Sequence, residues 1–366
     1  MTDSTKKVRA LIVDDSTLIR QLFAMLLAQD PEIEVVGSAP DPYVARDMIK
    51  SLKPDVITLD VEMPRMDGLS FLRKIMALHP MPVVMVSTLT QANADVTIQA
   101  LEAGAVDFVA KPTTQLDKSM DLLGRELSAK VKNAARTRVY ARPETAPEPK
   151  PVVPVKSIGP TDKIIFVGAS TGGVEALLKL LLGFPADCPP ILITQHMPER
   201  FTASFAARLN TVCAMEVVEA THDQPVQQGH VYIAPGSHHL EIARKLNRFV
   251  CQLHQQAPVS GHRPSVDVLF GSAARVVGRK AVGAILTGMG KDGAQGLSEM
   301  RQAGAATFGQ DEKTSLIYGM PRAAFEKGAV ARQVPLDKMA AAILAACTDG
   351  TGSPDAAADG RKAVSR

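Results

Sequence analysis

Tryptophan is absent from this 366-residue sequence, and aromatic residues make up only 4% of it. Alanine, valine, leucine and isoleucine carry the apolar content instead, which suits α/β packing better than a β-sandwich. Cysteine is scarce: Cys188, Cys213, Cys251 and Cys347 lie far apart and form no C-x-x-C pair. That excludes a zinc ribbon and a disulfide framework, and reduced, buried thiols are expected. No long apolar run opens the chain; Val8–Val13 is short and broken by Arg9. It is too short for a signal peptide or a membrane span, so a cytoplasmic protein without direct membrane insertion is expected. Strong charge of either sign is missing too, and a net +3 offers no footing for nucleic acid. The charge is unevenly placed: residues 1–125 hold 13 Lys/Arg against 17 Asp/Glu, and residues 126–162 hold 7 against 4.

What is present is an alternation of short apolar runs with helical patterns, interrupted once, over a length that accommodates two domains. In residues 7–128 the first run, Val8–Val13, is followed by a helical face of Leu18, Leu22, Met25 and Leu26. Further strands are expected at Val35–Gly37, Asp55–Leu59, Pro82–Val86 and Phe108–Ala110, and a fifth helix over Leu116–Ala129. Five such units predict an α/β fold, a doubly wound parallel sheet with its ligand site at the C-terminal strand ends. Residues 129–162 contain Pro143, Pro147, Pro149, Pro151, Pro154 and Pro160 and read as a flexible linker. Residues 163–347 resume the alternation and predict a second α/β domain with a mostly parallel sheet. The Gly/Ala/Asp-rich residues 348–366 read as a disordered tail.

Asp14 and Asp15 follow the first strand, Asp60 the third, Ser87 the fourth and Lys111 the fifth, so a parallel sheet brings them to one edge. Clustered carboxylates there are costly without a cation, and hard oxygen ligands suit Mg²⁺. Mg²⁺ and the Lys111 ammonium would neutralise a phosphoryl group on Asp60. The plainer reading is that each Asp caps the helix after it. The segments Leu11-Ile-Val-Asp-Asp15, Leu59-Asp60-Val-Glu-Met-Pro64-Arg-Met-Asp-Gly68-Leu, Met85-Val-Ser87 and Lys111-Pro112 closely resemble response-regulator receiver domains. The resemblance implies Asp60 as phosphoacceptor, Asp15 and Asp60 as Mg²⁺ ligands, Asp14 acting through water, and the Glu62 backbone carbonyl as a further ligand. It makes Ser87 the hydroxyl that follows the phosphoryl group. Phe108 stands where such domains carry a switching aromatic, often Tyr, and lacks that hydroxyl.

In the second domain Gly168-Ala-Ser170-Thr-Gly172 satisfies G-x-S-x-G between a predicted strand and helix. Taken alone, the loop fits an exposed nucleophile and a phosphate cradle equally well. A dinucleotide site wants an acid at the end of the next strand; His196 stands there and suits a general base. Asp292, in Gly288-Met289-Gly290-Lys-Asp292-Gly293, is the candidate to orient the imidazole, with capping of the next helix as its plainer role. The chain order Ser170, His196, Asp292 matches none of the familiar serine-hydrolase orders and implies a distinct hydrolase fold. His262 and Arg263 precede a helix, where lining a substrate groove and packing are both open.

Gly168-Ala-Ser-Thr-Gly-Gly-Val-Glu-Ala, Gln195-His-Met-Pro, Ala234-Pro-Gly, His262-Arg-Pro-Ser-Val-Asp-Val-Leu-Phe and Thr287-Gly-Met-Gly-Lys-Asp-Gly closely resemble the CheB family of chemotaxis methylesterases. With the receiver, the resemblance covers about residues 7–345. It implies Ser170 as nucleophile, His196 as base and Asp292 as its orienter, with the Met289 backbone N–H in the oxyanion hole and Thr171 helping to position the imidazole. It further implies glutamate methyl-ester hydrolysis and glutamine deamidation on methyl-accepting chemoreceptors, a chemotaxis histidine kinase as phosphodonor, and no cofactor for the ester chemistry. Nothing in the sequence demands more than a monomer. A receiver-regulated serine esterase for a different ester, and a non-enzymatic receiver protein that binds a nucleotide, are the other classes considered.

Overall fold

Two parallel sheets, each built from buried aliphatic strands alternating with amphipathic helices, account for most of the chain. The structure, a computed structural model, describes residues 6–88, 90–112, 120–137, 139–141, 157 and 159–348. In the first half β1 (Val8–Val13), β2 (Ile33–Ala39), β3 (Val56–Asp60), β4 (Val83–Ser87) and β5 (Asp107–Ala110) alternate with α1 (Thr17–Ala28), α2 (Pro42–Leu52), α3 (Gly68–Leu78), α4 (Gln91–Ala103) and α5 (Met120–Ala135). The strand order is β2-β1-β3-β4-β5 and every pairing is parallel. The order reverses between β1 and β3, and a crevice opens there at their C-terminal ends.

The helix caps settle the plainer reading of the acids. Ser16 caps α1, Asp67 caps α3 and Thr90 caps α4 through their side-chain oxygens. Asp15 and Asp60 therefore do not cap those helices. The expected linker start at residue 129 is corrected: α5 continues to Ala135. Leu123, Leu127, Val131 and Ala134 recur at helical spacing and are buried, while Lys130, Lys132 and Asn133 between them mask the pattern in the sequence. Most of the expected linker, and residues 349–366 of the expected tail, lie outside the described residues.

The second half contains β6 (Ile164–Ala169), α6 (Gly173–Leu181), β7 (Ile191–Gln195), α7 (Glu199–Val212), β8 (Glu216–Glu219), β9 (His230–Ile233), β10 (His239–Lys245), β11 (Arg248–His254), α8 (Val266–Val276), β12 (Ala281–Ile285), α9 (Ala294–Gln302), β13 (Ala306–Gln310), α10 (Met320–Glu326), β14 (Arg332–Val334) and α11 (Leu336–Thr348). Seven strands form one parallel sheet in the order β14-β13-β12-β6-β7-β9-β8. β10 and β11 form a separate antiparallel hairpin against α8. Every residue of β6, β7 and β12 is buried, as central strands covered on both faces require. Among the described residues no helix is long and apolar enough to cross a membrane.

Candidate active site

Three neighbouring strands, β12, β6 and β7, deliver the serine-loop chemistry to one edge. The β6–β7 register pairs Gly168 with Thr194 and Ala169 with Gln195, so Ser170 and His196 leave adjacent strands one step further on. Gln195 ties the two exits together: its Nε2 donates to the carbonyls of Ser170 (2.9 Å) and His196 (3.1 Å). The Ser170 N–H donates to the Thr287 carbonyl at 3.0 Å, which joins the loop to the end of β12. Two glycines make the turn possible. Gly172 has φ +78°, and a Cβ on Gly173 would stand 2.0 Å from the Gln195 Oε1.

Asp292 is almost fully buried at the N-terminus of α8. Its Oδ2 accepts from His196 Nε2 (2.8 Å) and the Val266 N–H (2.7 Å), and its Oδ1 from the Ser265 hydroxyl (2.8 Å) and the Asp267 N–H (3.1 Å). Burial by itself would raise its pKa. The His196 bond and charge, the Val266 N–H and the Ser265 hydroxyl outweigh it and bring the carboxyl down to about 2. Asp292 does not cap the helix that follows it. Asp267 serves α9 instead, accepting the Gly296 N–H at 2.8 Å.

An ionised Asp292 calls for a proton on His196 Nε2, which leaves Nδ1 as the basic nitrogen. That atom is buried without a hydrogen-bond partner among the described residues. The Met289 backbone N–H, in the glycine-rich turn after β12, likewise has no acceptor among the described residues. His262 lies flat on His196, with ring centroids 3.7 Å apart and planes 11° apart. Thr171 does not turn to the imidazole. Its hydroxyl meets Asp107 Oδ2 at 2.5 Å, across the boundary between the two halves.

That contact is one of several between the first half and the second. The Phe108 and Phe201 rings pack 4.4 Å apart, Glu102 of α4 holds Arg208 of α7 at 3.0 Å, and the Asn133 amide of α5 donates to the Met289 sulfur. Lys130 sits behind Asp107 at 3.3 Å and bonds Glu126 at 2.8 Å; burial opposes its charge, but the two carboxylates raise its pKa.

The acidic site forms at the ends of β1, β3 and β5. Asp14, Asp15 and Asp60 present carboxylate oxygens within 4.8 Å of one another, and the first and last are buried. Lys111 Nζ lies 2.9 Å from Asp14 and 2.8 Å from Asp60. Burial raises the Asp60 pKa to about 6, Lys111 pulls it back, and the Asp14 charge adds to the rise. Three carboxylates facing one ammonium fit a hard divalent cation. The Ser87 hydroxyl accepts from Thr97 of α4 at 2.9 Å.

Known proteins agree with this division. Residues 10–120 match the response regulator receiver domain family, and residues 165–343 match the CheB methylesterase family. A Dechloromonas aromatica protein named protein-glutamate methylesterase/protein-glutamine glutaminase 1 is 55% identical over 344 residues, covering 93% of this chain and 98% of its own length. A Caulobacter vibrioides protein of the same name is 56% identical, covering 92% and 97%. The chain belongs to the CheB methylesterase family. Within this family member, Gln195, Ser265 and Asp107 are site residues that sequence reasoning missed. Ser265 and Gln195 had a legible signal, a Ser directly before a helix and a Gln directly before His196 in a segment shared with the family; Asp107 meets Thr171 across 64 residues and had none.

Proposed function

We propose that this chain is a phosphorylation-activated protein-glutamate methylesterase and protein-glutamine glutaminase of chemotaxis adaptation. The observation that carries the reading is the Asp292–His196 pair at the α8 N-terminus beside the strand-end Ser170. The Ser170 hydroxyl attacks the γ-ester carbonyl of a receptor glutamate while its proton passes to His196 Nδ1. The Met289 N–H, free of other acceptors among the described residues, meets the developing oxyanion. His196 returns the proton to the leaving methoxide, methanol departs, and water releases the glutamate from the acyl-enzyme. A glutamine amide follows the same course with ammonia leaving. The substrates are methyl-accepting chemoreceptors, and a chemotaxis histidine kinase supplies the phosphoryl group to Asp60. The chain works in the cytoplasm as a monomer, with residues 163–347 as the hydrolase.

At the acidic site Asp15, Asp60 and the Glu62 carbonyl would hold Mg²⁺, with Asp14 acting through water. When bound, the ion offsets the negative charge of the incoming phosphoryl group. Lys111 adds a fixed positive charge beside Asp60. Ser87, now bonded to α4 through Thr97, turns to the phosphoryl oxygens and loosens α4 and Phe108 from the hydrolase. Undocking frees Thr171 from Asp107 and opens the serine loop to a receptor helix.

The test is methanol release from a methylated chemoreceptor fragment, with and without Mg²⁺ and acetyl phosphate. Release that rises with the phosphodonor and disappears in Ser170→Ala supports the reading, with a loss of at least about 10³-fold expected. Near-normal turnover by Ser170→Ala rules the triad out. Hydrolysis of small esters alone would move the substrate elsewhere.

A further inference from the structure

The loop of residues 255–265 is exposed over Gln255 to Gly261, yet it is held stiff at three points. Val259 and His262 exchange backbone hydrogen bonds of 3.0 and 2.9 Å around Ser260 and Gly261. Those two residues have φ of +53° and +82°, as a two-residue type I′ turn requires. The Arg263 guanidinium donates to the carbonyls of Gln255 and Gln256 at 3.1 and 3.2 Å. Buried His239 accepts the Ser265 N–H on Nδ1, which leaves its Nε2 proton for the Ala257 carbonyl; both distances are 3.2 Å. What this frame carries inward is the His262 ring, stacked on His196.

We propose that His262 is a positioning residue for the hydrolysis: its stacked ring keeps the His196 imidazole in the plane in which Nε2 meets Asp292 and Nδ1 stays available to Ser170, and its π face stabilises the imidazolium that forms there. The proposal rests on the triad reading above. One hydrogen bond to Asp292 fixes one edge of the His196 ring and leaves it free to tilt; a parallel plate at 3.7 Å removes that freedom. The plate must be uncharged to favour a cation beside it. His196, Asp292, Lys130 and Glu126 are the charged and titratable groups acting on it. Burial foremost, then His196 and Lys130, lower the His262 pKa to about 4 against the pull of Asp292 and Glu126, so the ring is neutral at pH 7.

A packing role would be met by any side chain of similar bulk, whereas a positioning role needs the flat π face. The full chain with H262L or H262F separates the two. The readouts are kcat and KM for methanol release, and the tautomer of His196 by nitrogen-15 NMR of labelled histidine. H262L should lose about tenfold in kcat with KM little changed, and its His196 should pass from one tautomer to a mixture. H262F should recover most of the rate and the single tautomer. Should H262L fail to fold, H262Q takes its place as the variant without a ring. Wild-type kcat and a single tautomer in H262L overturn the proposal. So does an equal loss in both variants with the His196 signals unmoved, which assigns His262 to substrate contact. If the wild-type chain releases no methanol, the esterase reading fails, and the nitrogen spectra still decide whether His262 orders His196.

Discussion

Asp292 combines two duties at the residue scale: it anchors the start of α8 and fixes the proton on His196. Asp292→Asn keeps the shape, but its amide can present N–H to Nε2 and reverse the tautomer. Turnover should fall by about 10⁴-fold, measured as methanol release; a loss below tenfold would remove Asp292 from the mechanism. Its lowered pKa also has a stability consequence. The folded value lies below the ordinary 3.8, so the stabilisation is fully present above pH 3.8 and is lost as pH falls through about 2. Asp60 has the opposite sign. Its folded pKa near 6 means that the ionised form is strained at pH 7 and is relieved by protonation as pH drops below 6. Millimolar Mg²⁺ should therefore raise the unfolding temperature more at pH 7 than at pH 5, by roughly 2–4 °C for about 1 kcal/mol. An equal rise at both pH values would mean that Asp60 is not a ligand.

At the scale of elements, α4 links the two sites. It receives Ser87 through Thr97 near its middle and reaches α7 through Glu102 near its end. The Glu102–Arg208 pair is partly exposed, so its worth is about 0.2–1 kcal/mol. Glu102→Lys should accordingly raise the basal rate without phosphodonor by at least about twofold, and adding Arg208→Glu should restore repression. A single and a double variant with the same basal rate would show that α4 is not held by this pair. Phe108 belongs to the same contact. Its ring against Phe201 contributes about 0.5–1.5 kcal/mol beyond burial, a role that needs no hydroxyl and suits Phe in place of Tyr.

For the whole molecule, the receiver half covers Thr171 and Met289 at once, so under the proposed function it would be an obstacle to a receptor helix and a restraint on the loop beside Ser170. Deleting residues 1–160 should raise basal methanol release, within the roughly 5–150-fold range of a coupling of 1–3 kcal/mol. A deleted form no faster than the unphosphorylated full chain would count against inhibition by docking. A small ester, if the chain hydrolyses one, offers a second comparison: relief there as well would point to the Thr171 restraint, and relief for the receptor fragment alone to steric cover.

The sequence by itself determined both α/β alternations and the identity of the residues at strand ends, because buried parallel strands are continuous apolar runs and the chemistry sits where they stop. It did not mark the end of α5, where charged residues interrupt the buried face, or the elements after residue 304, where β14 and α10 are too short to show a period. Only the tertiary structure decided which helix N-terminus holds Asp292, that Thr171 faces Asp107, and that His262 lies on His196. Each depends on groups 25 to 66 residues apart meeting across a sheet edge or a domain boundary. Local periodicity carries no record of such meetings, since they follow from strand order and from how the two halves pack.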